Sequence, residues 1–135
     1  MSQTRTEGLD VFEEMMPGIV PDNMGSLRDG SFADEMFELS LDHVFGSLWT
    51  RPGLDRRSRS LVTLGALIAL RADEELKFHF PIALRNGLTV EELEEVVYHL
   101  TGYAGFPAAN TARAIGREVL PPPRRDTTTN PATPG

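Results

Sequence analysis

The residues that could do chemistry crowd into one stretch, Trp49 to His79. It reads W-T-R-P-G-L-D-R-R-S-R-S-L-V-T-L-G-A-L-I-A-L-R-A-D-E-E-L-K-F-H and holds the only tryptophan and five arginines. Glu75 and His79 stand four residues apart, the spacing that puts two side chains on one helix face. A carboxylate beside an imidazole favours the protonated ring, while burial opposes it. A histidine so balanced can give or take a proton near neutral pH. The same spacing also describes a surface pair that stabilises a helix by only a few tenths of a kcal/mol, about 0.2–0.5. Upstream, Arg51, Arg56, Arg57 and Arg59 surround a helix start. Guanidinium forks bind carboxylates in two parallel hydrogen bonds, and backbone N–H groups at a helix start add to such a site. The bland reading is a solvated basic turn that pairs with nearby acids.

Metal binding has weaker support. His79 has no second histidine three or four residues away, and His43 and His99 fall on other predicted helices. The chain has no cysteine, which removes disulfides, thiolate catalysis and iron–sulfur chemistry together. Net charge is −7 with a pI of about 4.9, so no field draws in phosphate backbones and nucleic acid is not an expected partner. No apolar leader is visible in the first ten residues, and the longest apolar run is far too short for a bilayer. The expectation is a soluble cytoplasmic protein that uses no membrane.

Helical spacing broken by Gly and Pro recurs along the chain, with no β-type alternation. A first helix is predicted over Gly8 to Met16, then a loop from Ile19 to Gly30. Ser31, with Asp34 three residues on, reads as the cap of a helix to about Leu48, with Phe32, Met36, Leu39, Val44 and Leu48 on one apolar face. Asp55 caps a third helix whose Leu61, Val62, Leu64, Leu67 and Ile68 cover a wide arc, as in the centre of a bundle. Asp73 opens a fourth helix, and Asn86-Gly87-Leu88 has the form of a left-handed stop. Thr89-Val-Glu-Glu92 is a capping box for a fifth helix. Pro107 sits in the first turn of a sixth. The fold class is therefore all-α, a compact bundle of about six helices over residues 8–120. Residues 121–135, rich in Pro and Thr with little to bury, read as a disordered tail. Trp49, Tyr103 and Phe106 read as core or subunit-interface aromatics. Asn110 lies in a stripe of alanines that implies close packing and a buried partner for its amide.

Four of these motifs, in order, carry a resemblance: W-T-R-P-G-L-D-R-R-S-R-S-L-V-T-L, E-E-L-K-F-H, A-L-R-N-G-L-T-V-E-E-L-E-E-V and Y-A-G-F-P-A-A-N. Over roughly Phe32 to Leu120 the chain resembles the carboxymuconolactone decarboxylase family, most closely its γ-carboxymuconolactone decarboxylase branch. The resemblance implies an alkylhydroperoxidase-D-like fold that assembles into homo-oligomers, trimers or commonly hexamers. The peroxidase branch of that family carries C-x-x-C-x-x-x-H. Aligned on His79, its cysteines would fall at Ala72 and Glu75, so the thiol nucleophile is missing and peroxidase activity is excluded.

What the resemblance implies instead is a cofactor-free decarboxylation of an anionic lactone, in aromatic catabolism. Loss of CO2 from a γ-carboxy butenolide sends electrons through the ring double bond to the lactone oxygen, so the substrate is its own electron sink. The implied roles are His79 and Glu75 for the proton, and Arg51 and Arg57 for the carboxylates. Trp49 and Asn110 are further pocket residues, and no metal or cofactor is required. Pro21 to Ser31 departs from the branch, which has a His in a G-D-x-H-V-like run there, and His99 stands where Gln is expected. These departures keep two alternatives open: a repurposed member acting on another lactone or β-keto acid in a secondary pathway, and a non-catalytic anion-binding or assembly protein.

Overall fold

The computed structural model describes residues 2–18 and 28–125. Most of the loop expected between Ile19 and Gly30, and the tail beyond residue 125, lie outside the described residues. The chain divides into two compact units, Met1–Ser60 and Leu61–Gly135. All regular structure among the described residues is helical: α1 (Gln3–Met15), α2 (Met36–Ser40), a π-helical turn (Leu41–Phe45), α3 (Arg56–Leu70), α4 (Asp73–Arg85), α5 (Val90–Leu100) and α6 (Phe106–Val119). None of these helices is long and apolar enough to cross a membrane.

In the first unit, α1 starts five residues earlier than its apolar pattern predicts. Ser2 caps it, its Oγ accepting the Arg5 amide at 3.1 Å. Gly8, Val11, Phe12 and Met15 form the buried face, the i, i+3, i+4, i+7 spacing of one helical stripe. Phe12 meets Phe37 and Phe45 edge-on, both with ring centroids 5.0 Å away. Gly8 lets α1 approach the π-helical turn so closely that a β-carbon there would stand 2.2 Å from the Leu41 carbonyl oxygen.

The helix expected from Ser31 to Leu48 is broken. Ser31 does not cap it: its amide and hydroxyl donate to Asp29, and Asp34 instead accepts the Gly30 amide at 2.8 Å. Ala33 adopts a left-handed φ of 61°, and helix begins only at Met36. The expected apolar face is not the buried one, since Phe32, Met36, Leu39 and Leu48 are exposed. Glu38, Leu41, Phe45 and Trp49 face inward. A buried carboxylate needs a partner, and Glu38 receives Arg28 through Nε at 2.8 Å and through Nη2, with Arg5 Nη1 at 3.7 Å. Arg5 is itself forked onto Asp42 at 2.9 and 2.6 Å. These arginines hold Glu38 and Asp42 below the usual carboxylate range, the hydrogen bonds being the leading cause.

The second unit is built around Leu64, Ile68, Leu76, Phe80, Leu93, Ala112 and their neighbours. The buried arc of α3 is narrower than its composition implies, because Val62 and Leu70 are exposed. Arg71, in a left-handed conformation (φ 57°), turns the chain into α4. Its guanidinium donates to the Pro107 carbonyl at 3.2 Å and to Thr111 Oγ1 at 3.1 Å, tying the corner to α6. That turn makes Ala72 the cap residue and places Asp73 one position inside the helix, against expectation. The stop after α4 is as expected: Gly87 has φ 102°, Leu88 is buried, and its amide returns to the Ala83 carbonyl at 3.0 Å. The Thr89–Glu92 capping box forms with both reciprocal bonds, at 3.0 and 3.1 Å. α4 and α5 both pack on α6. After α6, Pro121 to Arg125 run back to α5, where the Arg124 amide donates to Glu91 at 2.9 Å and Arg125 forks onto Glu94 at 2.9 and 2.7 Å.

Candidate functional site

The candidate residues fall in both units. Trp49, Arg51 and Arg57 belong to the first. Trp49 is buried, at 7% exposure, whereas Arg51 and Arg57 are exposed. The turn carrying them is fixed by local bonds. Asp55 caps α3 by accepting the Ser58 amide at 2.7 Å, and this bond leads the lowering of its pKa. Arg59 donates to the carbonyls of Leu54 and Arg51, each at 3.0 Å. Arg56 pairs with Glu14 at 2.5 Å. Two of the four clustered arginines thus hold the turn and its flank in place. Arg51 extends its guanidinium from the same turn and makes no ion pair among the described residues.

His79, Glu75 and Asn110 belong to the second unit. His79 is half-buried on α4 with its Nδ1 fully enclosed, and burial holds the ring pKa below its ordinary value. An adjacent carboxylate would act in the opposite direction. Glu75 shares the helix face, as the spacing requires, but it is exposed and is not among the causes of the shift. The expected tuning of His79 by Glu75 is therefore replaced by tuning through burial. Asn110 is exposed on α6, while Ala108, Ala109 and Ala112 are buried. Its amide needs no buried partner, and the small-residue stripe packs without it. Tyr103 and Phe106 are also exposed, at 81% and 66%, so neither is a core aromatic of this chain.

No group of three or more His, Asp or Glu among the described residues is arranged to hold a metal ion. The carboxylate-arginine network of Arg5, Arg28, Glu38 and Asp42 was not anticipated from sequence. Its signal was present: Glu38 stands at i−3 and i−7 from Leu41 and Phe45, on the stripe that is buried.

Comparison with known proteins supports one family throughout. The profile of the "Carboxymuconolactone decarboxylase family" matches residues 34–118. A relative named 4-carboxymuconolactone decarboxylase, from Acinetobacter baylyi, is 45% identical over 77 residues, covering 57% of this chain and 58% of that protein. The chain thus spans less than two thirds of that relative's length. Another, named nitrosuccinic acid decarboxylase npaB, from Metarhizium robertsii, is 35% identical over 115 residues, covering 84% of this chain and 79% of that protein. With six α-helices among the described residues and a matching profile over most of its length, the chain belongs to the carboxymuconolactone decarboxylase family.

Proposed function

We propose that the protein is a cofactor-free carboxy-lyase acting on a small carboxylate that carries its own electron sink, with His79 as the proton donor. The observation that supports this most is His79 itself: a half-buried imidazole with a lowered pKa on α4, in a chain two of whose relatives are named for decarboxylations. In the reaction the bond from carbon to carboxylate breaks and CO2 departs. The electron pair moves onto an acceptor oxygen within the substrate. For a lactone that acceptor is the conjugated ester oxygen; for a nitro acid it is the nitro group. The imidazolium of His79 then gives its proton to carbon, leaving neutral imidazole. The family resemblance makes Arg51 and Arg57 the candidates for binding carboxylates by charge-assisted hydrogen bonds, and Trp49 and Asn110 the candidate pocket residues.

Two substrates are distinguished by the pattern of similarity. The Acinetobacter relative is the more identical, and favours 4-carboxymuconolactone. The Metarhizium relative matches over more of the chain, and favours an open-chain nitro acid. The test is CO2 release from each compound by purified protein, with kcat/KM deciding between them. His79→Gln is expected to lower kcat by about 10²–10⁴-fold, the range for loss of a general acid, with the helical circular dichroism unchanged. Arg51→Gln is expected to raise KM more than it lowers kcat. Turnover of neither compound by folded protein overturns the reading, as does a His79→Gln variant with full activity.

A further inference from the structure

A cavity of about 470 Å³ lies wholly within the second unit, between α5, α6 and the Pro121–Pro123 segment. Its size is in the range of small-molecule sites. The floor is apolar, formed by Phe80, Leu93, Val97 and Ala112, all buried. Three arginines and one acid line the walls: Arg113, Arg117, Arg125 and Glu94. Arg125 and Glu94 satisfy each other, and their pairing holds the returning segment against α5. Arg113 and Arg117, four residues apart on α6, make no ion pair or hydrogen bond among the described residues. This is in a chain of net charge −7.

Gly116 is the second observation. It lies inside α6 without a positive φ, so the helix does not require glycine there. A β-carbon at 116 would meet Leu120 and Phe80 at 3.6 and 3.9 Å, which is ordinary contact. Alanine fits, but a longer side chain would enter the cavity. Glycine is the poorest helix former after proline, and here its effect is to leave the space empty.

We infer that this cavity binds small organic monocarboxylates, with the apolar body on the Phe80–Leu93–Val97 floor and the carboxylate taken by Arg113 and Arg117. The site is independent of the proposed reaction at His79, and its test reads binding rather than turnover. The probe is 4-(trifluoromethyl)benzoate, titrated into the full-length protein and followed by fluorine and amide NMR. Saturable shifts are expected at Leu93, Val97, Ala112, Arg113 and Gly116. The dissociation constant is expected to rise at least tenfold in the Arg113→Gln/Arg117→Gln double variant and in Gly116→Leu, and to stay unchanged in His79→Gln. The arginines are exposed, so the double variant tests the charge even if Gly116→Leu fails to fold. Absence of saturable binding overturns the inference, as do shifts confined to other residues or an affinity indifferent to loss of both arginines.

Discussion

Changing Gly8 to alanine adds a single methyl group, and the structure requires it to destabilise the protein. On an exposed helix the same change stabilises by about 0.5–1 kcal/mol, because alanine loses less backbone freedom than glycine. At position 8 the new β-carbon would lie 2.2 Å from the Leu41 carbonyl oxygen and 3.0 Å from both Leu41 C and Gly46 N. These are backbone atoms, so no side-chain rotation relieves the clash, and α1 must retreat from the π-helical turn by roughly 1 Å to restore van der Waals contact. A gap of that size forfeits about a quarter to a half of the dispersion attraction at the separated faces, here those of Val11, Phe12 and Met15. Overpacking of this kind costs about 1–3 kcal/mol, so the net loss after the helix-propensity gain reaches up to about 2.5 kcal/mol. If α1 detaches altogether, the loss extends to the burial of three large side chains at about 1.5–3 kcal/mol each.

Urea denaturation followed by circular dichroism measures the net change, and amide exchange along Gln3–Met15 shows whether α1 is the element released. Gly46→Ala should behave alike, since its β-carbon would stand 2.3 Å from the Thr4 carbonyl oxygen. Gly65→Ala is the control: nothing lies within 4 Å of the added atom, so α3 should gain the propensity term alone. A Gly8→Ala protein as stable as Gly65→Ala refutes the close approach.

His79 makes stability pH-dependent with a definite sign. Its pKa is below 6.5 when folded and about 6.5 when unfolded, so the unfolded chain binds the extra proton between the two values. The group's contribution is fully present above about pH 6.5 and is lost as pH falls through the folded pKa; His79→Gln should flatten the urea midpoint across that window, and an unchanged slope would contradict burial as the cause. Thr89→Ala removes the oxygen that accepts the Glu92 amide at 3.1 Å and should cost about 1 kcal/mol, read as a lower urea midpoint with unchanged slope. Thr89→Asn, which keeps a capping oxygen, should restore most of it.

The second unit was legible in the sequence because its punctuation is local. Asn86-Gly87-Leu88, Thr89 to Glu92 and the Pro107 helix start each bond within a few residues, so residue type alone specifies the geometry. The stretch from Ser31 to Trp49 was not legible, for the opposite reason. Its apolar positions suggest one helix with Phe32, Met36 and Leu39 inside, yet Glu38 is buried instead. That burial depends on Arg5 and Arg28, which come from other segments, and the spacing that puts Glu38 on the Leu41–Phe45 stripe does not name those partners. The π-helical turn adds to the difficulty, because it shifts the rotational register on which helix-face reading relies. Likewise the apolar stripe starts α1 late, because its first turn is set by Ser2 and polar residues.

At the candidate site, spacing correctly put Glu75 and His79 on one helix face but misjudged which force acts on the ring. Proximity in sequence favours a carboxylate effect; the three-dimensional surroundings supply desolvation, which points the other way. The difference matters for the proposed chemistry. A histidine held cationic by its own glutamate would be a weak acid, stabilised before any substrate arrived. A histidine kept below its ordinary pKa by burial is neutral at pH 7 in the empty protein, and its cation is a stronger acid once formed. A bound substrate carboxylate is then the group that stabilises the imidazolium, so the proton is taken up with the anion that needs it. CO2 departs as a neutral molecule and leaves that negative charge on the acceptor oxygen and, by conjugation, on the carbon to be protonated; proton transfer neutralises both, and the ring's own environment favours giving the proton up. Under the proposed reaction, an exposed Glu75 that leaves the ring alone suits His79 better than the ion pair its spacing implied.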